Sequence, residues 1–280
     1  MFRLAFSANA FGRYSLPETI GILAGIGYQG IEIMADVPHA YPPHLTGDDR
    51  RRLRRALTRN RLAVSNVNAF MLHAEGDTWH PSWIERDPAR RRRRVTHTLN
   101  CIDLAADLGA PSISTEPGGP LEGMEPAAAV EMFLEGLQSV ETRAREQGVR
   151  VLIEPEPGLL VENSRQFLAL LAELDSEVFG LNFDIGHFYC VGEDPALLVR
   201  ELAPYTDHFH LEDIAASRKH HHLMPGRGAI DLRGVLREIA ASGFNGFVTV
   251  ELYPYADRPV AAAREAFAWL ASRPAAVDLS

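Results

Sequence analysis

Short apolar runs alternate with longer amphipathic stretches from one end of the chain to the other. The runs predict strands at 2–8, 29–34, 62–68, 111–115, 150–154, 179–184, 207–212 and 246–252. The stretches between them predict helices at 16–27, 46–60, 88–108, 126–148, 163–174, 194–203, 231–242 and 257–272. Cap signals support these limits. Ser15-Leu16-Pro17-Glu18 carries a capping serine, a first-turn proline and a glutamate three residues on. Asn163-Ser164-Arg165-Gln166 has the same logic, and Gly109, Gly148 and Gly243 fall where helices should stop. Strict alternation of strand and helix predicts the α/β class and a single (β/α)8 barrel, with its active face at the C-terminal ends of the strands. An open doubly wound sheet would place a glycine-rich phosphate loop after the first strand. Ala8-Asn9-Ala10-Phe11-Gly12 is not one. No compositional break divides residues 1–280, so one domain is expected.

Several of the apolar runs end in residues that bind divalent metals. Val151-Leu152-Ile153 leads into Glu154, Phe179 to Phe183 into Asp184, and His208-Phe209 into His210. Phe247 to Val250 leads into Glu251. Neighbouring parallel strands would bring these four ends to one face, three carboxylates and one imidazole around a point. That donor set suits Mn²⁺, Mg²⁺ or Co²⁺, with Zn²⁺ also compatible. Pro155-Glu156-Pro157-Gly158 fixes Glu154 at a strand-to-loop junction, with Glu156 as a competitor for the same role. Gly186 permits a sharp turn that brings His187 beside Asp184, to bind either metal or a substrate hydroxyl, the latter preferred. Strand alternation puts His208, His210 and Glu212 on one side. His208 then belongs to the core or supports its neighbour, Glu212 lies beyond the metal, and Asp213 caps the following loop. Glu251 follows three residues rich in β-branching, where a carboxylate is costly unless paired or metal-bound.

A divalent ion held this way leaves positions for two substrate oxygens, as in an α-hydroxy carbonyl. Chelation polarises the carbonyl, acidifies the adjacent C–H and stabilises the resulting enediolate. Glu154 and Glu251, on opposite walls, could take a proton from one side and return one on the other. That is the logic of epimerisation or aldose–ketose isomerisation. Glu32 and Glu116 end strands two and four and are further candidates for binding substrate hydroxyls. So are His220 and His222 on the loop after His210. Residues 69–86, with His73, Trp79, His80 and Trp83, form either a lid with sugar-stacking rings or a helical insert packed in a satellite core. Asp36 to His44 is a second rim candidate.

These residues resemble the sugar phosphate isomerase/epimerase group of the xylose isomerase-like barrel superfamily. The resemblance rests on Gly27 to Glu32, Ile153-Glu154-Pro155, Phe183 to His187, His210-Leu211-Glu212-Asp213 and Pro225 to Asp231. In the ketose 3-epimerase branch it implies Glu154, Asp184, His210 and Glu251 as ligands of one metal, Glu154 and Glu251 as the acid/base pair, and His187 on a substrate hydroxyl. That branch also has an arginine six positions after the metal histidine. Ala216 stands there, and Arg218, the candidate substrate contact, comes two residues later. The loop from Arg218 to Gly226 resembles instead the apurinic endonuclease branch, which implies a second metal at His187, His220 and His222. The two further histidines of that branch are missing: Asn66, Asn68 and Glu116 stand in those regions. The superfamily also implies a homodimer or tetramer.

The remaining bulk properties narrow the partners. Net charge is −9, which repels a polyphosphate backbone and disfavours nucleic acid. Arginine runs at 50–55 and 90–94 sit on predicted helices and read as solvated faces. Two distant cysteines, no long apolar run at the start and no span of about 18 apolar residues lead us to expect a cytoplasmic protein without membrane contact. A small polyol or sugar is the expected partner. A lyase using the same chemistry, a multinuclear zinc hydrolase and a non-catalytic sugar-binding barrel are the alternatives.

Overall fold

The computed structural model describes residues 1–272. Eight parallel strands, β1 (Arg3–Ser7), β2 (Gly30–Met34), β3 (Ala63–Asn68), β4 (Ser112–Thr115), β5 (Arg150–Ile153), β6 (Phe179–Asp184), β7 (Thr206–Leu211) and β8 (Phe247–Val250), pair in sequence order. Strand β8 pairs back onto β1 and closes the barrel. Around it lie α1 (Leu16–Ile26), α2 (Gly47–Asn60), α3 (Pro88–Leu108), α4 (Pro126–Gln147), α5 (Ser164–Leu171), α6 (Ile185–Cys190), α7 (Pro195–Leu202), α8 (Leu232–Ala241) and α9 (Pro259–Ala271). The protein is therefore a TIM barrel, as the alternating pattern predicts. Both capping boxes form, at Ser15–Glu18 and at Asn163–Gln166.

Alternation along each strand divides the core. Residues such as Ile31, Ile33, Phe183, Phe209, Val248 and Val250 are buried and apolar. The other parity faces the barrel interior, as contacts between non-neighbouring strands prove. Thr249 of β8 meets Ser65 of β3 at 3.2 Å, and His210 of β7 meets Glu32 of β2 at 2.8 Å. Much of this interior is polar, with buried Asn66, Ser114, Asn182, His208 and Thr249 bonded to one another or to neighbours. At the N-terminal end the Arg150–Asp207 ion pair (2.9 Å) packs over Gly180 and an aromatic ring packs over Gly30. Phe247 fills the space over Gly30, where an added Cβ would lie 2.5 Å from its ring and 3.1 Å from Ala5 Cβ. Arg3 covers the outer face of that ring at 3.9 Å.

One helix, α6, was not expected. Its six residues are too few to show a period, and the Asp184 side chain that caps it also ends β6. The helix expected at 163–174 ends at Leu171.

Because the bottom of the barrel closes on a ring packed against a missing side chain, Gly30→Ala should lower stability by about 1–3 kcal/mol. Chemical denaturation measures this; an unchanged midpoint would mean that Phe247 swings aside freely.

Candidate metal centre and active site

His210 sits at the middle of the C-terminal mouth, fully buried. Its Nε2 lies 2.8 Å from Glu32 Oε2, and its Nδ1 lies 2.8 Å from Glu154 Oε1, 3.6 Å from Asp184 Oδ2 and 3.7 Å from Glu251 Oε2. Burial works against charge on this ring, but Glu32, Glu251 and Glu154 outweigh it and hold its pKa well above the ordinary value. Burial likewise favours neutral Glu32, yet His210 wins and draws that carboxyl down to about 2. Glu32 is thus a fixed anion behind the imidazole. Below them, burial pushes His208 down to about 3, and this neutral ring bonds Asn182 Oδ1 at 2.8 Å and Thr249 Oγ1 at 2.6 Å.

Glu154, Asp184, His210 and Glu251 each offer a ligand atom, all within 4.8 Å of one another. Local structure explains why these atoms are free. Asp184 Oδ1 accepts the His187 amide at 2.7 Å as the cap of α6, which leaves Oδ2 over for another partner. Glu251 Oε1 accepts from Asn9 Nδ2 at 2.9 Å. Glu154 Oε2 and Asp184 Oδ2 are buried with no hydrogen-bond partner. Orphaned anionic oxygens facing one point are expensive, and a divalent cation fits them. A neutral His210 with its proton on Nε2, held by Glu32, would turn its Nδ1 lone pair to that point, the usual carboxylate–histidine–metal arrangement.

A second cluster adjoins the first. His187 donates from Nδ1 to Pro155 O at 2.9 Å, and its Nε2 lies 3.1 Å from Glu156 Oε2. His220 Nδ1 meets Glu156 Oε1 at 3.0 Å, and its Nε2 lies 3.0 Å from that of His222. His187, His220 and His222 could hold an ion, and so could Asp184, Glu212, His222 and Glu251. Burial pushes His222 down to about 3, so this ring is neutral. Glu212 does not lie beyond the centre as expected. It is buried against it, accepts the Gly186 amide, and burial with Asp184 and Glu251 nearby raises its pKa well above normal. Asp213 holds the histidine loop in place. Its carboxylate accepts the amides of Gly226 (3.0 Å), Gly228 (2.9 Å) and Ile230 (3.2 Å), a grip that needs Gly228, where a Cβ would stand 2.2 Å from Asp213 Oδ1.

A family model described as "Xylose isomerase-like TIM barrel" matches residues 20–273. The chain belongs to that family. Among curated relatives, the inosose dehydratase of Lacticaseibacillus casei is 28% identical over 137 residues, a match spanning 43% of this chain and about half (46%) of that protein. The fructoselysine 3-epimerase of Shigella flexneri is 26% identical over 247 residues, 86% of this chain and 87% of that one. The crystal structure of IOLI protein with a binding zinc atom superposes with a TM-score of 0.79 at 18% identity, covering 97% of this chain and 98% of that one.

Three sequence-derived candidates of this family member lie elsewhere. Glu116 does not reach the mouth. It is buried beneath the 69–86 loop, 3.4 Å from Arg94 and accepting the Trp83 amide at 3.1 Å. Burial raises it to about 7, against the pull of Arg94. Arg218 does not line the cavity at the mouth; it is bonded to Tyr189 O and lies 4.2 Å over the Tyr189 ring. Glu32 supports His210 instead of meeting substrate. Arg94 also departs from its run: it is buried, while Arg90, Arg92 and Arg93 are exposed. It lashes the loop through the carbonyls of Ala69, Phe70 and Pro81. The loop is no helical insert. Trp83 packs on Phe133 and donates to Thr115 Oγ1, while Phe70 and Trp79 line a cavity of about 500 Å³ that also reaches Glu154, His187 and Glu251. Sequence reading passed over Asn9, whose carboxamide carries no signal until the fold sets it against Glu251.

Two results should follow. Mn²⁺ or Zn²⁺ at 100 times its dissociation constant should stabilise the protein by about 2.7 kcal/mol. His210→Ala and Asp184→Asn should abolish that shift in a thermal melt, and a shift that survives both would place the ion elsewhere. Glu116 has an acid pKa raised on folding, so the unfolded chain loses this proton first. Its contribution is neutral below the ordinary value of 4.5 and becomes destabilising as pH rises from there to about 7. Melts of Glu116→Gln across that window should fall less steeply than those of the wild type.

Proposed function

We propose that the protein is a divalent-metal-dependent isomerase or epimerase acting on a sugar, cyclitol or related polyol ketone. The observation that supports this most is that two carboxylates, Glu154 and Glu251, meet His210 and Asp184 with ligand atoms all within 4.8 Å of one another. A divalent cation bound there supplies electrophilic polarisation of a substrate carbonyl and acidifies the neighbouring C–H. The chain's own groups then move the proton. One of Glu154 and Glu251 takes it at a carboxylate oxygen, giving an enediolate. The other returns a proton to the opposite face or the adjacent carbon. Asn9 orients Glu251 through Nδ2, and Glu32 keeps His210 in one tautomer. His187, with Nδ1 tied to Pro155 O, sets Nε2 3.1 Å from Glu156 Oε2, and a substrate hydroxyl would bind at that pair. Glu156 and the rings of His220 and His222 complete that wall. The fructoselysine 3-epimerase relative supports epimerisation over most of the chain's length. The inosose dehydratase relative supports a second reading, in which the same enediolate expels a β-hydroxyl that takes a proton from the other carboxyl and leaves as water.

The test is exchange in D₂O. Manganese-loaded protein is incubated with a panel of ketoses and inososes, and deuterium at the carbon beside the carbonyl is followed by NMR. Wild type should exchange and isomerise, with Glu154→Gln and Glu251→Gln slower by about 10²–10⁴-fold. A 1,2-dione, formed when the enol left by elimination tautomerises, in place of an epimer selects the lyase. Elemental analysis decides the centre: about one ion per chain, weakened in Glu251→Gln and not in His222→Ala, fits this reading. Two or three zinc ions, one of them lost in His222→Ala, would put hydrolysis first.

A further inference from the structure

Opposite the histidine cluster, the cavity wall is built from three loops that follow β1, β2 and β3. They abut closely. A Cβ on Gly12 would lie 3.8 Å from His39 Nε2, and the Ala74 amide donates to Val37 O at 2.9 Å. In this wall, Asp36 is fully buried and His39 has a side chain 5% exposed, with His39 Nδ1 2.6 Å from Asp36 Oδ1. The other ends of both groups, Asp36 Oδ2 and His39 Nε2, have no partner. Neither has Asn9 Oδ1. Its orientation follows from chemistry, since only Nδ2 can donate to Glu251. All three residues line the same cavity as the metal-ligand carboxylates.

An unpartnered buried polar atom costs about 1–3 kcal/mol, and three on one wall point to a ligand that bonds them. Two are acceptors by nature. The third becomes one when the His39 proton sits on Nδ1, facing Asp36. The wall therefore asks for O–H or N–H groups. It also opposes negative charge, because buried Asp36 and exposed Glu75 stand on this side of the lining against the single Arg13 at its exposed edge.

We propose that Asn9, Asp36 and His39 form a specificity subsite for the non-reacting end of the substrate, which carries hydroxyl or ammonium groups and no phosphate or carboxylate. This rests on the ketone-binding reading given above. The test is calorimetric titration of manganese-loaded protein with D-fructose, its 6-phosphate and 6-deoxy-6-(dimethylamino)-D-fructose. The phosphate should bind at least tenfold more weakly than fructose. Asp36→Asn and His39→Gln, with metal content and melting temperature unchanged, should each weaken fructose about tenfold, and Asp36→Asn should narrow the gap to the phosphate. Tighter binding of the amine identifies an ammonium at this wall, and equal binding identifies a hydroxyl. Metal-dependent fructose binding that neither variant alters, or a phosphate that binds as well as fructose, overturns the subsite alone. Absence of metal-dependent binding by all three ligands overturns the ketone-binding reading and the subsite with it.

Discussion

The hydrogen bond between Glu32 and His210 crosses the barrel interior, and the arrangement of the mouth depends on it. A carboxylate fixed behind an imidazole decides which nitrogen carries the proton and which faces the cavity. Without Glu32 the ring could turn, and Glu154, Asp184 and Glu251 would face one another with no defined donor between them. Such a group of buried anions holds together only if a proton or a cation is shared among them. The raised pKa values of His210 and Glu251 are the protonated answer to that crowding. A divalent ion is the other.

That arrangement needs rigid support. The barrel supplies it with a polar layer beneath these side chains, where His208 is held between Asn182 and Thr249. Two devices fix the loops above. Asp213 grips the 224–230 turn through backbone amides, and Arg94 grips the 69–86 loop through carbonyls. Each uses a buried charge to satisfy several main-chain groups at once. Each also lies one step away from the residues that face the cavity.

Much of this was legible in the sequence, because barrel strands are apolar and a charged residue at the end of an apolar run stands out. Glu154, Asp184, His210 and Glu251 could be read that way and come together as expected. Parity along a strand gives the side of the sheet but not the depth. Sequence sets Glu32 and Glu116 alike at strand ends, yet Glu32 is the middle residue of β2 and bonds His210, while Glu116 follows β4 and turns to Arg94. The second case depends on one arginine in a run of five facing inward, which composition averages away. Arg218 was misread because distance along a loop says little about direction. Asn9, Asp36 and His39 acquire meaning only once three separate loops meet.

The sequence separations across the centre carry a consequence for how this protein matures. Glu32 and His210 lie 178 residues apart, and Asn9 and Glu251 lie 242 apart. The centre therefore joins the first strands to the last. Contacts of such range form late, since the chain must close a long loop before they repay it. A ribosome-bound chain that has yet to present β8 has no Glu251 for Asn9 to meet. The full set of four facing donors thus arrives together with closure of the barrel, and a partly folded chain presents only part of it.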